Sequence, residues 1–205
     1  MHQGRLWLVV CAFLAAGVGI GCLVTATSWD WQPALALRQP WRWWTAAWVH
    51  LSALHVVANL AGLFVVAALG RSARLPAIMA VAWLASWPLV HLALLGEPGL
   101  MHYAGLSGVL HAGVAVAAVF VAVERAGTAR RIGMALLVGL GLKVFLESPW
   151  GPALQPMPGW DFAVAPLAHA SGAAAGTLCA LLALARGKFD DADPEVEGEA
   201  PEGKT

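Results

Sequence analysis

Six stretches of about twenty predominantly apolar residues recur along this chain, at roughly 6–25, 51–70, 75–95, 104–123, 130–147 and 163–185. A bilayer core about 30 Å thick needs about 20 such residues per helix, so the chain reads as six membrane-spanning helices. Composition agrees: 60% of the 205 residues are hydrophobic and 12% charged, which excludes a soluble globule. Arg5 ahead of an apolar stretch ending near Thr25-Ala26-Thr27 has the outline of a signal peptide. That run is longer than a usual signal core and most of the remaining chain is equally apolar, so a retained helix is expected.

The charges are segregated. Twelve Lys and Arg balance twelve Asp and Glu, yet seven acids (Asp190, Asp191, Asp193, Glu195, Glu197, Glu199 and Glu202) lie in the last sixteen residues. The chain thus divides into a membrane domain, 1–189, and an acidic tail, 190–205. The tail has too few aliphatic residues to offset the entropy of folding and is expected to be disordered in the cytosol. Arg5, Arg71, Arg74, Arg125, Arg130, Arg131, Arg186 and Lys188 fall on one side of a six-helix arrangement, with only Arg38 and Arg42 opposite. Both termini are therefore expected to be cytoplasmic. The basic residues form no stripe, which argues against nucleic acid as a partner. Cys11, Cys22 and Cys179 sit in apolar stretches without ligand spacing and read as small buried residues, not as disulfides or a zinc site.

Three outer loops follow from this topology. The first, about 26–50, carries Trp29, Trp31, Trp41, Trp43, Trp44 and Trp48, amphipathic rings expected at headgroup level. The last holds Pro149, Gly151, Pro152, Pro158 and Gly159, too many breakers for a helix, and is expected to cap the outer helix ends.

Polar residues inside membrane helices are costly, so each is a functional hypothesis. His55 and Asn59 share a face of the second run, Ser107 opens the fourth, and His169 lies in the outer part of the sixth. By helical rise these groups fall roughly 5 to 10 Å below the outer helix ends. A serine hydroxyl needs a base to become a nucleophile, and imidazole suits that task. Ser107 would attack and His169 accept its proton. Backbone N–H groups at the start of the fourth helix, with His55 and Asn59, could stabilise an oxyanion. Gly172 and Gly176 form a small-xxx-small pair that would let the sixth helix approach the fourth.

Taken in order, Trp41-Arg42, the HxxxxHxxxN of His50, His55 and Asn59, the GxSG of Gly105 to Gly108, and the AHxxGxxxG of Ala168 to Gly176 resemble the rhomboid intramembrane serine proteases. The resemblance covers nearly everything except the tail. It implies an all-α integral membrane protein, a six-transmembrane-helix rhomboid-like bundle. It also implies a catalytic Ser107/His169 dyad without a carboxylate, an oxyanion site of the Ser107 N–H, His55 and Asn59, and cleavage of transmembrane segments near the outer face. No metal or organic cofactor is expected. His111 is a departure: four residues after the serine, rhomboids commonly have a tyrosine packed on the catalytic histidine. Packing is the favoured role for His111, with proton transfer as the alternative. GLSGVLHA and the short six-helix form look most like the rhombosortase branch, which implies a bacterial inner membrane, a site facing the periplasm, and C-terminal Gly-Gly sorting tails as substrates.

The plainer readings belong beside these. Ser107 alone would be a helix residue bonding to its own backbone, and His55 and Asn59 alone would be interhelical hydrogen-bond partners. His50 is expected to tie the first loop to the helix ends, Trp41-Arg42 to anchor that loop at the interface, and His91 and His102 to sit at helix ends or in loops. Tyr103 would either touch substrate or anchor at the interface. Gly105 and Gly108 would support the serine turn. Lys143 and Glu147, four residues apart, read first as a mutually satisfied ion pair, with recognition of a polar substrate group as the functional version. The alternatives to a sorting protease are a general rhomboid protease, a silent relative that binds and routes membrane proteins, and a small transporter.

Overall fold

The computed structural model describes residues 4–97 and 99–192. The chain forms helices α1 (Arg5–Gly21), α2 (Ala26–Trp29), α3 (Arg42–Thr45), α4 (Ala53–Ser72), α5 (Ala77–Val90), α6 (Ser107–Glu124), α7 (Gly127–Leu146) and α8 (Pro166–Ala192). A two-residue antiparallel ladder, β1 (Gln155–Pro156) with β2 (Ala163–Val164), interrupts the otherwise helical architecture. Among the described residues, four helical segments are long and apolar enough to cross a membrane: Ala53–Ser72, Ala77–Gly96, Ser107–Glu124 and Pro166–Arg186. Two of the six expected spans fall outside that description, for different reasons. The first ends at Gly21 after 17 residues, four short of where hydropathy carried it. The fifth has 20 residues but includes Arg130, Arg131 and Lys143. α8 continues to Ala192, three residues into the tail expected to be disordered from 190, and the rest of that tail lies outside the described residues.

α6 is the hub, packing against α4, α5, α7 and α8. Its sequence is rich in Ala, Gly and Val, small side chains that let neighbours approach closely, and most of its residues are buried. The closest approach is to α8. A Cβ on Gly172 would strike the backbone of Gly108, and one on Gly176 would come within 2.7 Å of the Ala112 Cα. The small-xxx-small pair thus sets the depth at which α8 lies against α6. Elsewhere tryptophans fill glycine notches and bond to the facing helix. Trp7 of α1 donates to the Val66 carbonyl of α4 at 2.9 Å, and Trp83 of α5 to the Val109 carbonyl of α6 at 2.8 Å. α5 ends at Val90 and holds Pro88 in its last turn, where the missing N–H forfeits the bond to the Leu84 carbonyl.

The first loop departs from the expected interfacial sheet of tryptophans. Trp41 and Trp44 are exposed, but Trp31 is fully buried, stacked on His91 and edge-on to Trp43, and Trp48 packs against Trp87. Nor does Arg42 anchor at the interface. It is buried and clasps the loop from within, donating to Asp30 Oδ1 at 2.9 Å, the Asp30 carbonyl at 2.6 Å, the Thr27 carbonyl at 3.0 Å and Gln39 Oε1 at 2.7 Å. His102 bonds the other oxygen of Asp30 at 2.6 Å, and backbone bonds between Trp31 and Tyr103 tie this loop to the segment leading into α6. The turn that presents Ser107 is thereby held by residues far away in the sequence.

Candidate active site

α4, α6 and α8 begin, and α7 ends, at the same end of the bundle. There a cavity of about 790 Å³ opens between α4, α6 and α7, lined by Asn59 and Gly62 on one side and Gly139 and Leu140 on the other. Ser107 and His169 lie on its wall.

Ser107 is the first residue of α6 and follows a sharp turn. Gly105 has φ +127°, a conformation L side chains rarely adopt, and a Cβ there would lie 2.6 Å from His55 Nε2. Glycine is therefore required twice over. Gly108, one residue beyond the serine, has Val90 and the Ala168 carbonyl in the place of a side chain. Among the described residues no side-chain hydrogen bond caps α6, so its first N–H groups and the positive end of its dipole are directed at the cavity end.

His169 sits one turn into α8, buried, with Nε2 2.8 Å from Ser107 Oγ. Its Nδ1 lies 2.7 Å from Glu147 Oε2. A carboxylate accepts, so Nδ1 carries the proton and Nε2 keeps its lone pair for the serine hydroxyl. This single tautomer satisfies both bonds. The resemblance implied a pair without a carboxylate; in this chain Glu147, at the end of α7, supplies one. Its other oxygen accepts from Lys143 Nζ at 2.6 Å, so the expected Lys143/Glu147 pair is present but is not self-contained. In the sequence its signal was weak: one of five acids outside the tail, 22 residues from the histidine it meets.

His111 stacks on His169 with ring centroids 4.2 Å apart and planes 10° from parallel. Its Nδ1 donates to the Ser107 carbonyl at 2.7 Å, and the Ser107 hydroxyl is paired with His169 instead. His111, Glu147 and His169 have possible ligand atoms within 4.8 Å of one another. Those of Glu147 and His169 already bond within the protein, as does His111 Nδ1.

His55 faces Gly105 through Nε2, while its Nδ1 accepts from the Leu51 N–H at 3.4 Å, which leaves Nε2–H as the donor toward the serine turn. Phe162 covers its ring at 3.9 Å, and Ser52 holds the neighbouring Asp161 at 2.7 Å, so the last loop lies over this end of the cavity. Asn59 uses one amide hydrogen on its own helix, the His55 carbonyl at 3.0 Å, and the other remains for the cavity it lines. His50 bonds the Trp48 carbonyl at 3.1 Å, and burial lowers its pKa below the ordinary histidine value. Tyr103 is buried, not an interfacial anchor. Desolvation pushes its phenol up to about 12, and the hydroxyl donates to the Gly105 carbonyl at 3.3 Å. His91 sits at the end of α5 as expected, but wholly buried between Trp31 and Tyr103.

A hydroxyl bonded to an oriented imidazole, below an uncapped helix start in an apolar pocket, is the arrangement nucleophilic hydroxyl chemistry requires. It is set among helices long and apolar enough to cross a membrane. Residues 37–186 match the Rhomboid domain, and the chain belongs to the rhomboid family. That family consists generally of intramembrane serine proteases, some members being inactive. No curated protein matches the chain.

Proposed function

We propose that this protein is an active intramembrane serine endopeptidase in which Ser107 is the nucleophile and His169 the general base. The observation that carries the reading is the 2.8 Å contact between Ser107 Oγ and His169 Nε2 on the wall of an apolar cavity between membrane helices. Attack of Oγ on a scissile carbonyl forms the C–O bond as the hydroxyl proton passes to Nε2. The same proton then leaves with the amine as the C–N bond breaks, and water repeats the sequence to release the acid. The Ser107 N–H, the His55 Nε2–H and the free amide hydrogen of Asn59 are the donors for the oxyanion. Gly105, Gly108 and Tyr103 support the turn, and His111 supports the imidazole by stacking.

The topology proposed is six spans, α1 and α7 included, with both termini cytoplasmic and the site facing the periplasm of a bacterial inner membrane. The distribution of Lys and Arg supports it. The substrates are transmembrane segments entering from the bilayer, and within that class C-terminal Gly-Gly sorting tails, which the resemblance of GLSGVLHA to the rhombosortase branch supports. Two tagged substrates in membranes, one with a Gly-Gly tail and one generic, test this against wild type, Ser107→Ala and His169→Ala. Cleavage of the tail substrate that both substitutions abolish is the expected result. Cleavage of the generic substrate alone removes the sorting role, and an inert wild type removes the enzyme.

A further inference from the structure

Glu147 stands just beyond the last turn of α7 with a side chain only 13% exposed, although it reads in the sequence as half of a mutually satisfied ion pair. Its backbone is fixed on both sides. The Glu147 N–H donates to the Lys143 carbonyl at 3.2 Å, and Ser148 turns the chain away with φ 53°. Both carboxylate oxygens are assigned: Oε1 to Lys143 Nζ at 2.6 Å and Oε2 to His169 Nδ1 at 2.7 Å. An ion pair serving α7 alone would need only the first contact, which the four-residue spacing provides on the helix surface. The second crosses 22 residues of sequence to meet a buried imidazole on the nitrogen opposite the one that faces Ser107.

We infer that Glu147 is a positioning residue for His169, completing a Ser107–His169–Glu147 line anchored at its far end by Lys143. This rests on the protease reading of Ser107 and His169. The carboxylate has two tasks there. It fixes the Nδ1–H tautomer, so that the lone pair on Nε2 always faces the hydroxyl. It also stabilises the imidazolium that exists only after the serine proton has moved, while the Nδ1 proton stays on histidine throughout. The stacked His111 restrains the ring from its face and Glu147 from its edge, so each corrects a motion the other permits. Lys143 opposes the second task electrostatically while holding the carboxylate in place for the first. The charged and titratable groups around His169 are Glu147 and Lys143 from α7, His111 from α6 and, further off, His55 from α4.

The experiment measures kcat and KM from acid to alkaline pH in proteoliposomes, with a tagged transmembrane reporter, for wild type and for Ser107→Ala, Glu147→Gln, Glu147→Asp and Lys143→Met. Carboxylates in comparable triads are worth up to about 10⁴ in kcat. Glu147→Gln is expected to lower kcat about a hundredfold or more while KM stays within about threefold. Its acid limb moves to lower pH, because the imidazolium has lost its counter-charge. Lys143→Met displaces the acid limb the other way, because a repelling cation has gone, and Glu147→Asp recovers part of the rate. The two opposed displacements are the readout that a merely structural contact would not give. Glu147→Gln with wild-type kcat and acid limb overturns the inference, as does a Lys143→Met limb that does not move if Glu147→Gln fails to fold. Cleavage that survives Ser107→Ala overturns the protease reading beneath it, and does so separately.

Discussion

The approach of α8 to α6 sets the reacting distance, and Gly172→Ala perturbs it with one methyl group. A Cβ at Gly172 would lie 2.9 Å from the Gly108 carbonyl carbon and 3.3 Å from its Cα, and closer still to the carbonyl oxygen. Carbon atoms in contact sit about 3.5–4.0 Å apart, so one helix must retreat by about 1 Å. α6 is enclosed by four neighbours and cannot move far, which leaves α8. His169 travels with α8, and its 2.8 Å bond to Ser107 stretches beyond the usual hydrogen-bond range. A misplacement of about 1 Å costs about a hundredfold in rate, and overpacking costs about 1–3 kcal/mol of stability. The assay is initial-rate cleavage of the tagged reporter at saturating concentration, with thermal unfolding in detergent alongside. Gly19→Ala, where a Cβ meets nothing within 4 Å, is the control expected to change neither quantity. A Gly172→Ala protein with the turnover and melting temperature of wild type would refute the claim that helix approach sets the catalytic distance.

Arg42→Met takes the guanidinium from the buried Asp30, leaving it bonded to His102 and Gln32, and should destabilise the fold by about 3–5 kcal/mol, read as a fall in melting temperature. His55→Ala should reduce kcat by about 10²–10³ with little change in KM, as loss of an oxyanion donor does; a change confined to KM would place His55 in substrate binding instead. His111→Phe preserves a ring against His169 and should retain turnover within about tenfold, whereas a loss matching that of His169→Ala would assign His111 to proton transfer.

Some of this was legible in one dimension. Four-residue spacing places His55 and Asn59 on one face, a GxSG at the head of an apolar run marks a serine turn, and Gly172 with Gly176 announces a close helix approach. Each is a local pattern with a single geometric consequence. The clasp of Arg42 and His102 on Asp30 was hidden because its partners lie 12 and 72 residues from that acid, and nothing local distinguishes a buried loop arginine from an interfacial one. Trp31 and Trp48 misled for a related reason: tryptophan suits both headgroups and cores, and only the packed neighbours decide. Glu147 was visible as the partner of Lys143, but its second contact depends on how the irregular loop between α7 and α8 returns the chain. Hydropathy also carried the first run four residues past the end of α1, since apolar windows average over helix ends.

The central claim is that His169 activates Ser107 as a nucleophile, and the most direct test is labelling by a fluorophosphonate, which reacts with activated serine hydroxyls. In folded protein reconstituted in lipid, the adduct is expected on Ser107, absent from Ser107→Ala and strongly reduced in His169→Ala. A wild-type protein that is correctly inserted yet unlabelled, or one labelled equally well without His169, would contradict it.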